Sequence, residues 1–362
     1  AMHDVLRFWM ARGVDGFRLD ALHFIAKDPE ERDNPPNPSG KGAFHKPLGE
    51  YDTQLHPYDK GHPDIHPWLR DLRRVLDAEG RDVFAIGEMH LYDLDEWRTY
   101  FGGNEGGAPL DELHAPYYFA LLKADWTAEA VRAAVDAQEA ALPEGAWPNY
   151  VLGNHDDERI ASRVGPAQAG VAAVLLLTLR GTPTLYYGDE IGMPEVAVPP
   201  DQQRDPWALR SGLPELSRDG CRTPMAWDAS PSAGFSEAAP EALWLPLHPD
   251  HERINVATQL ADPGSLLNLY RRLLRLRRAT PALHGGAYRP FGGAPEGVFA
   301  FEREAGGERV LVALNFTGEP RRAALPAWAQ SGEVLLSTRR EREGEPVGEA
   351  LPLAENEAVV LG

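Results

Sequence analysis

The chain has 362 residues, 43% apolar and 25% charged, a balance typical of an ordinary globular protein with one large and one small domain, or two medium ones. Its formal net charge of −19 argues against nucleic-acid or membrane partners, because phosphate binders need a concentrated basic face. The longest apolar run, Val171 to Leu179, is too short to span a bilayer. The single cysteine, Cys221, excludes an internal disulfide and fits a reducing compartment, so we expect a cytoplasmic protein.

Up to about residue 285, short apolar runs alternate with amphipathic stretches, and this alternation predicts a parallel α/β sheet. The predicted strands are Gly16–Asp20, Val83–Glu88, a weak one near Leu110–His114, Tyr150–Asn154 and Thr184–Gly188. The predicted helices are Asp4–Arg12, Pro67–Glu79, Ala128–Ala141, Gln168–Arg180 and Ser265–Ala279. Two long interruptions, residues 26–64 and 189–260, are rich in Pro, Gly, Asp and His and predict binding loops or lids.

From about Ala287 the pattern changes to short alternating segments separated by Gly, Pro and acidic residues. Examples are Val298–Phe301, Val310–Asn315 and Val334–Leu336. Such segments predict a small antiparallel β domain. We therefore expect two domains, residues 1–286 and 287–362, of which the second stabilises the first and carries no chemistry.

Three of the predicted strands end on acidic side chains, at Asp20, at Glu88 and at the His-Asp pair that closes on Asp156. The carboxyl ends of parallel barrel strands converge on one face, where active sites lie. Two carboxyl groups are the minimum set for glycoside cleavage, since one attacks or activates water and the other protonates the leaving oxygen. Arg18 precedes Asp20 by two residues, so it would point to the same side of the strand and keep Asp20 ionised. A lone Asp after a strand is more often a helix N-cap than a catalytic residue. The prediction of an active site therefore rests on the three strand ends taken together.

The motifs Gly-Val-Asp-Gly-Phe-Arg-Leu-Asp-Ala (13–21), Ala-Ile-Gly-Glu (85–88) and Gly-Asn-His-Asp (153–156) resemble, in order, signature regions of the α-amylase superfamily, glycoside hydrolase family thirteen. Tyr-Tyr-Gly-Asp-Glu-Ile-Gly-Met (186–193) is similar to the segment around the eighth strand of that family. The resemblance implies strands four to eight of a (β/α)8 TIM-type barrel, followed by a small antiparallel β-sandwich domain. Arg-Asp-Gly-Cys-Arg-Thr-Pro-Met-Ala-Trp-Asp (218–228) resembles the α-glucosidase and oligo-1,6-glucosidase branch, as does Ile-Asn-Val-Ala-Thr-Gln at 254–259.

The resemblance implies a role for each matching residue. Asp20 would be the nucleophile that forms a covalent glucosyl-enzyme, and Glu88 the general acid/base. Asp156 would stabilise the transition state by gripping the 2- and 3-hydroxyls, with Arg18 and His155 as partners in the sugar subsite. The carboxyl groups of Asp20 and Glu88 should then lie about 5 Å apart, the geometry of a retaining glycosidase. Glu88 must be protonated while Asp20 is ionised.

Three further residues and one segment of the chain bear on selectivity. Arg222 matches an arginine that in exo-glucosidases holds the terminal 4-hydroxyl. Arg159, three residues after Asp156, either lines the same pocket or forms an exposed ion pair with that residue. Ala21 would face the first aglycone sugar, where a small residue goes with a preference for α-1,4 links. The aromatic and His-rich stretch from Phe44 to Trp68 could form the aglycone wall or pack the loop on itself, and the sequence leaves both readings open.

The chain departs from the family pattern because five barrel strands can be counted instead of eight. The first three would carry an Asn-His pair, the Asp partner of Arg222, an inserted B domain and the loop where relatives bind calcium or magnesium. We therefore expect no metal or cofactor in this chain. We expect a small α-glucoside as substrate, and as partner the N-terminal part of the same enzyme, or a companion chain, completing the barrel. The predicted activity is that of a retaining, exo-acting α-glucosidase on short maltose-type oligosaccharides.

Two other interpretations stay open. A glucosyltransferase or isomerase, of the sucrose isomerase or trehalose synthase type, uses the same covalent intermediate with a sugar as acceptor. The lack of an Arg-Leu-Asp-Arg-Asp loop disfavours the sucrose isomerases. A catalytically inactive homologue, like the heavy chains of amino-acid transporters, is disfavoured because all three carboxylates are retained and no apolar run has the length of a membrane anchor.

Overall fold

A computed structural model describes residues 1–39, 49–78, 80–103 and 109–362. The predicted helix end at Glu79 and the Phe44 end of the aromatic stretch lie outside the described residues. The chain divides into two compact units: the first is Ala1–Lys123 with Ala134–Tyr150, and the second is Ala124–Ala133 with Val151–Gly362. The domain boundary expected at residue 286 stays a prediction.

The five predicted helices are present, each within about three residues of its expected ends, and the described ranges contain six shorter ones as well. In chain order the helices are α1 (Met2–Met10), α2 (Ile65–Asp77), α3 (Leu94–Thr99), α4 (Ala120–Lys123), α5 (Ala128–Ala141), α6 (Ile160–Val164), α7 (Ala169–Thr178), α8 (Pro206–Ser211), α9 (Val256–Ala261), α10 (Leu266–Ala279) and α11 (Pro281–Gly285).

The strands before residue 286 are shorter than the apolar runs that predicted them, whereas the predicted strands of the β domain are longer than their runs. They are β1 (Gly16–Leu19), β2 (Phe84–Gly87), β3 (Asn149–Val151), β4 (Thr182–Thr184), β5 (Ala287–Pro290), β6 (Val298–Ala305), β7 (Glu308–Asn315), β8 (Arg321–Ala324), β9 (Val334–Ser337), β10 (Ala350–Leu353) and β11 (Ala358–Leu361). The run at Leu110–His114 forms no strand, which corrects that prediction. This segment instead follows β2 loosely: the amide of His114 donates to the Ala85 carbonyl and that of Tyr117 to the Gly87 carbonyl.

In the first unit, β1 and β2 pair in parallel over their whole length, with Leu19 opposite Gly87. A core of buried apolar side chains supports the pair and includes Leu69 and Leu76 of α2 and Trp97 of α3. Gly87 has no room for a side chain, because an added Cβ would lie 2.4 Å from a methyl carbon of Leu113. This close packing fixes the end of β2, from which Glu88 emerges.

In the second unit, α7 is buried along its whole length and packs against α10. The buried Arg277 of α10 donates to the carbonyls of Leu177 and Leu179, the first of which lies in α7. Part of the long predicted loop 189–260 is itself packed around a small apolar core that includes Met193, Met225 and Ala233. The segment that carries Arg218 and Arg222 is therefore anchored by hydrophobic contacts on its C-terminal side.

The predicted antiparallel β domain is present at the end of the chain. Five strands form an antiparallel sheet in the order β5-β6-β7-β11-β9, and β8 pairs with β10 in a second antiparallel sheet. A buried cluster contains side chains from both sheets, among them Val298, Leu311 and Leu351. Two antiparallel sheets that share one apolar core are typical of a β-sandwich.

Candidate active site

Two of the predicted catalytic carboxylates directly follow the paired strands β1 and β2. Leu19 and Gly87 face each other in the register, so Asp20 and Glu88 are the next residues at the same edge. The amide of Glu88 donates to the carbonyl of Leu19 at 2.8 Å, which continues the pairing by one step. The parallel register thus brings together two carboxylates separated by 68 positions in the chain.

Arg18 contacts both carboxylates. Its guanidinium donates a hydrogen bond to Oδ1 of Asp20, and a second guanidinium nitrogen lies 3.9 Å from Oε2 of Glu88. The contact between Arg18 and Asp20 follows the two-residue period of a strand, as the sequence predicted. The side chain of Asp20 is 74% exposed, so the predicted nucleophile is open to a substrate.

Glu88 is buried, and both oxygens of its carboxyl group have partners. Oε2 accepts a hydrogen bond from the amide of Ala21 at 2.7 Å, and Oε1 lies 2.8 Å from Nε2 of His90. Burial raises the pKa of Glu88, but the contacts with His90, the Ala21 amide and Arg18 outweigh it and lower that pKa to about 2. These surroundings favour the ionised carboxylate, whereas a general acid must be protonated. The protonated Glu88 that the expected chemistry requires stays a prediction.

Ala21 reaches Glu88 only because its backbone adopts the left-handed conformation. Its φ is 45° and its ψ is 39°, values that a residue with a Cβ rarely adopts. The turn directs the Ala21 amide toward Oε2 of Glu88 and starts a short 3-10 helix at Leu22. Strain of this kind is concentrated at functional sites, where the surrounding structure holds it in place.

The second unit carries Asp156, whose Oδ1 accepts hydrogen bonds from two arginines. Arg218 donates to it at 2.8 Å and Arg222 at 2.9 Å. Its other oxygen lies 3.4 Å from Nε2 of His155, and Arg222 also donates to the carbonyl of His155 at 2.7 Å. The structure thus groups His155, Asp156 and Arg222, and their roles in sugar binding stay predictions.

Sequence reasoning missed the anchor of this group, the pair formed by Arg218 and Asp205. Arg218 donates from Nε and from a terminal nitrogen to the two carboxylate oxygens of Asp205, both at 2.7 Å. Burial raises the pKa of Asp205, but the hydrogen bonds from Arg218 hold it well below its usual range. Arg218 stands inside the motif at 218–228 and could have been singled out there. Asp205 lies thirteen residues earlier, and no local pattern marks it.

Arg159 requires a correction. Its side chain is fully buried, its guanidinium donates to the Tyr187 carbonyl at 2.7 Å, and it lies over the rings of Tyr186 and Tyr187. A buried guanidinium offers no surface to a sugar. The prediction that Arg159 lines the substrate pocket is therefore wrong in this structure, where Arg159 supports the segment that follows β4.

A cavity of about 290 Å³ lies beside Arg222. Its wall contains the aromatic rings of Tyr187, Trp227, Phe235 and Trp244, and the last three side chains are about half exposed. Aromatic walls with a few polar groups are typical of sites for small ligands. The rings present flat apolar faces to whatever enters, and Arg222 supplies hydrogen-bond donors at one side.

Two further observations concern ions and membranes. In the described part of the chain, His, Cys, Asp and Glu side chains form no group of three or more that could hold a metal ion. None of the helices over the described ranges combines the length and the apolar composition that a membrane crossing requires.

Comparison with known proteins decides the family. The model of the α-amylase catalytic domain matches residues 1–286. The chain belongs to the α-amylase family. Its fold class is the one predicted, with the later strands of the (β/α)8 barrel of this family followed by an antiparallel β domain.

Individual relatives differ in what they do. A protein described as "Probable alpha-glucosidase" from Rhizobium meliloti (strain 1021) is 36% identical over 90% of this chain and 59% of its own length. A human amino acid transporter heavy chain is 33% identical over 78% of this chain and 40% of its own length. The solved structure of the alpha-glucosyl transfer enzyme XgtA is 34% identical, with a TM-score of 0.86 over 99% of this chain and 66% of that one. The chain thus spans 59% of the length of the α-glucosidase that it matches.

Proposed function

We propose that the protein containing this chain is a retaining, exo-acting α-glucosidase that releases terminal glucose from short α-1,4-linked oligosaccharides. The observation that carries this proposal is the parallel register of β1 and β2, which ends two neighbouring strands on Asp20 and Glu88. Membership of the α-amylase family and similarity to an α-glucosidase support it. Its cytoplasmic location and an N-terminal segment that completes the barrel stay predictions.

The proposed roles follow the chemistry of each side chain. Asp20 is exposed and paired with Arg18, which suits a carboxylate that attacks the anomeric carbon. Glu88 donates a proton to the leaving oxygen and later removes one from water. Asp156 binds sugar hydroxyls, with His155 beside its Oδ2. A separation of about 5 Å between the carboxyl groups of Asp20 and Glu88 remains part of the proposal.

The substrate is proposed to be a small neutral glucoside. Arg222 presents donors that suit a terminal hydroxyl, which would make the enzyme exo-acting. The aromatic cavity beside it has faces on which a pyranose ring could stack. Ala21 leaves space next to the nucleophile, which favours α-1,4 links. These contacts require no metal or cofactor from this chain.

The test is the stereochemistry of the first product. The full-length protein is incubated with 4-nitrophenyl α-glucoside, whose glucosyl unit is the only glucose released, and proton NMR follows the anomer of that glucose. The α-anomer should appear first, and early β-glucose would overturn the retaining mechanism. Asp20→Asn should abolish turnover even with 4-nitrophenyl α-glucoside. Glu88→Gln should spare glycosylation by that activated substrate and stall maltose, because a good leaving group needs no proton.

Transfer of glucose to a second sugar is the other candidate, because the solved relative at 34% identity is an alpha-glucosyl transfer enzyme. Hydrolysis and transfer share the covalent intermediate and differ only in the acceptor. Product analysis with maltose and an excess of a second sugar separates them: glucose alone indicates hydrolysis, and new disaccharides indicate transfer. A protein that releases nothing from any α-glucoside would instead match the inactive interpretation.

A further inference from the structure

His90 stands two residues after Glu88 in a segment that none of the signature motifs includes. Its Nε2 lies 2.8 Å from Oε1 of Glu88, the shortest side-chain contact that the carboxyl group makes. The other oxygen, Oε2, is held by the Ala21 amide at 2.7 Å. The two contacts fix the carboxyl group in one orientation, and of the two partners only the imidazole of His90 can take up or release a proton.

The imidazole of His90 is itself held by neighbouring rings. The ring of His23 lies 5.8 Å away and that of Phe119 5.2 Å away, measured between centroids. His23 is buried, and burial together with the charges of Lys60 and His90 lowers its pKa to about 3, so this neighbour is neutral. Two further charges near the pair are Arg18, 3.9 Å from Oε2, and Asp20, which Arg18 contacts.

We propose that His90 is the positioning residue of Glu88: it holds Oε1 and shares one proton with the carboxyl group, and so controls the protonation state in which Glu88 meets a substrate. This proposal rests on the proposed function, since it concerns the same acid/base. Before reaction the proton resides on Nε2 and Glu88 is a carboxylate. The N–H bond of His90 breaks as its proton passes to Oε1 of Glu88, and that same proton then passes from Oε1 to the leaving oxygen as the glycosidic bond breaks and Asp20 bonds to the anomeric carbon. The imidazolium becomes a neutral imidazole and the leaving group an alcohol, so charge and protons balance.

The experiment compares His90→Gln and His90→Ala in the full-length protein. Gln keeps a hydrogen-bond donor and cannot be charged, whereas Ala removes the contact. His284→Gln, an exposed histidine of α11, is the matched control. Carbon-13 NMR of glutamate-labelled protein follows the carboxyl of Glu88, which is assigned by the signal lost in Glu88→Gln. In the parent this carboxyl group should stay ionised at every pH at which the protein is folded.

Both His90 variants should raise the pKa of Glu88 from about 2 toward the ordinary value of about 4, and the control should leave it unchanged. In kinetics, His90→Ala should lower kcat for maltose at least about tenfold and spare 4-nitrophenyl α-glucoside, with KM within about twofold for both. A loss shared equally by both substrates would indicate a merely structural role.

The two proposals fail in different ways. An unchanged titration of Glu88 in His90→Gln and His90→Ala overturns the role of His90, even if the enzyme hydrolyses maltose. A shifted titration in a protein that cleaves no α-glucoside supports the contact with His90 and overturns the proposed function. If a His90 variant fails to fold, the titration of Glu88 in the parent still tests the proposal. A pKa of Glu88 near 4 in the parent would contradict its pairing with His90.

Discussion

At the residue scale, Ala21 has a strained backbone and donates a hydrogen bond to Glu88, the candidate acid/base. Its left-handed backbone turns the amide toward Glu88, and a β-branched side chain tolerates that conformation poorly. We expect Ala21→Val to lower the free energy of unfolding by about 1–3 kcal/mol. Ala21→Gly should be as stable as the parent or more so, because glycine adopts positive φ freely. Urea unfolding of the three proteins measures this, and equal stability of the valine variant would contradict it.

The same substitution bears on linkage preference. A valine at position 21 should raise the ratio of kcat/KM for isomaltose to kcat/KM for maltose. The expected change corresponds to about 1–3 kcal/mol, the contribution of a methyl group in a binding pocket. Because the variant is also strained, the ratio of the two kcat/KM values must be compared in one sample. Isomaltose cleaved much faster than maltose by the parent would contradict the proposed role of Ala21.

Also at the residue scale, Arg218 keeps Asp205 paired. Asp205 is 1% exposed, so Arg218→Ala leaves a buried charge without its main partner, and the free energy of unfolding should fall by about 3–5 kcal/mol. The double variant Arg218→Ala/Asp205→Asn should recover part of this loss. Folding lowers the pKa of Asp205, so the stabilisation is present above the unfolded pKa and is lost as pH falls. The difference in the free energy of unfolding between the parent and Arg218→Ala should therefore become smaller in acid. Denaturant titrations at several pH values measure it.

At the scale of an element, the short 3-10 turn after β4 contains Asp189. Folding disfavours the charged form of its carboxyl group. Asp189 is 3% exposed, and burial raises its pKa to about 7, although the amide of Tyr186 donates to its Oδ2 at 3.2 Å. Between about pH 4 and pH 7 the unfolded chain carries this charge and the folded chain does not. Asp189 therefore destabilises the fold increasingly as pH rises through that range, by up to about 4 kcal/mol.

Asp189→Asn removes the charge and keeps an oxygen for the Tyr186 amide. It should stabilise the protein at pH 8 and change little at pH 4, as measured by chemical unfolding at both values. The exposed Asp201→Asn is the matched control and should have little effect at either pH. An Asn variant that is less stable than the parent at pH 8 would show that the carboxylate is needed in the folded state.

At the scale of the whole molecule, the chain spans 59% of the α-glucosidase that it matches, and α1 bears apolar side chains that are about half exposed, Phe8 and Trp9. If upstream sequence supplies the first three strands, as we predict, these side chains become covered. Residues 1–362 alone should then bind an apolar dye such as anilinonaphthalene sulfonate and self-associate. The longer protein should do so much less, since burial removes the exposed surface. Equal dye binding and a monomeric, maltose-hydrolysing 362-residue species would contradict the prediction.

The sequence by itself determined the order of the five main helices and of four of the five predicted barrel strands, and it placed Asp20, Glu88 and Asp156 at or near strand ends. It also predicted the contact of Arg18 with Asp20, because side chains two residues apart in a strand point to the same side. Apolar periodicity located the five main helices within a few residues. These features are local, so neighbours in the chain suffice to predict them.

Only the tertiary structure decided which distant groups surround each carboxylate. The positive φ of Ala21, the contact of His90 with Glu88 and the pairing of Arg218 with Asp205 depend on how remote segments pack. Burial of Arg159 likewise excluded a role that its position after Asp156 had suggested. The protonation state of Glu88 is the clearest case: a strand-end glutamate has an ordinary pKa in isolation, and the direction of its shift is set by partners that no local pattern reveals.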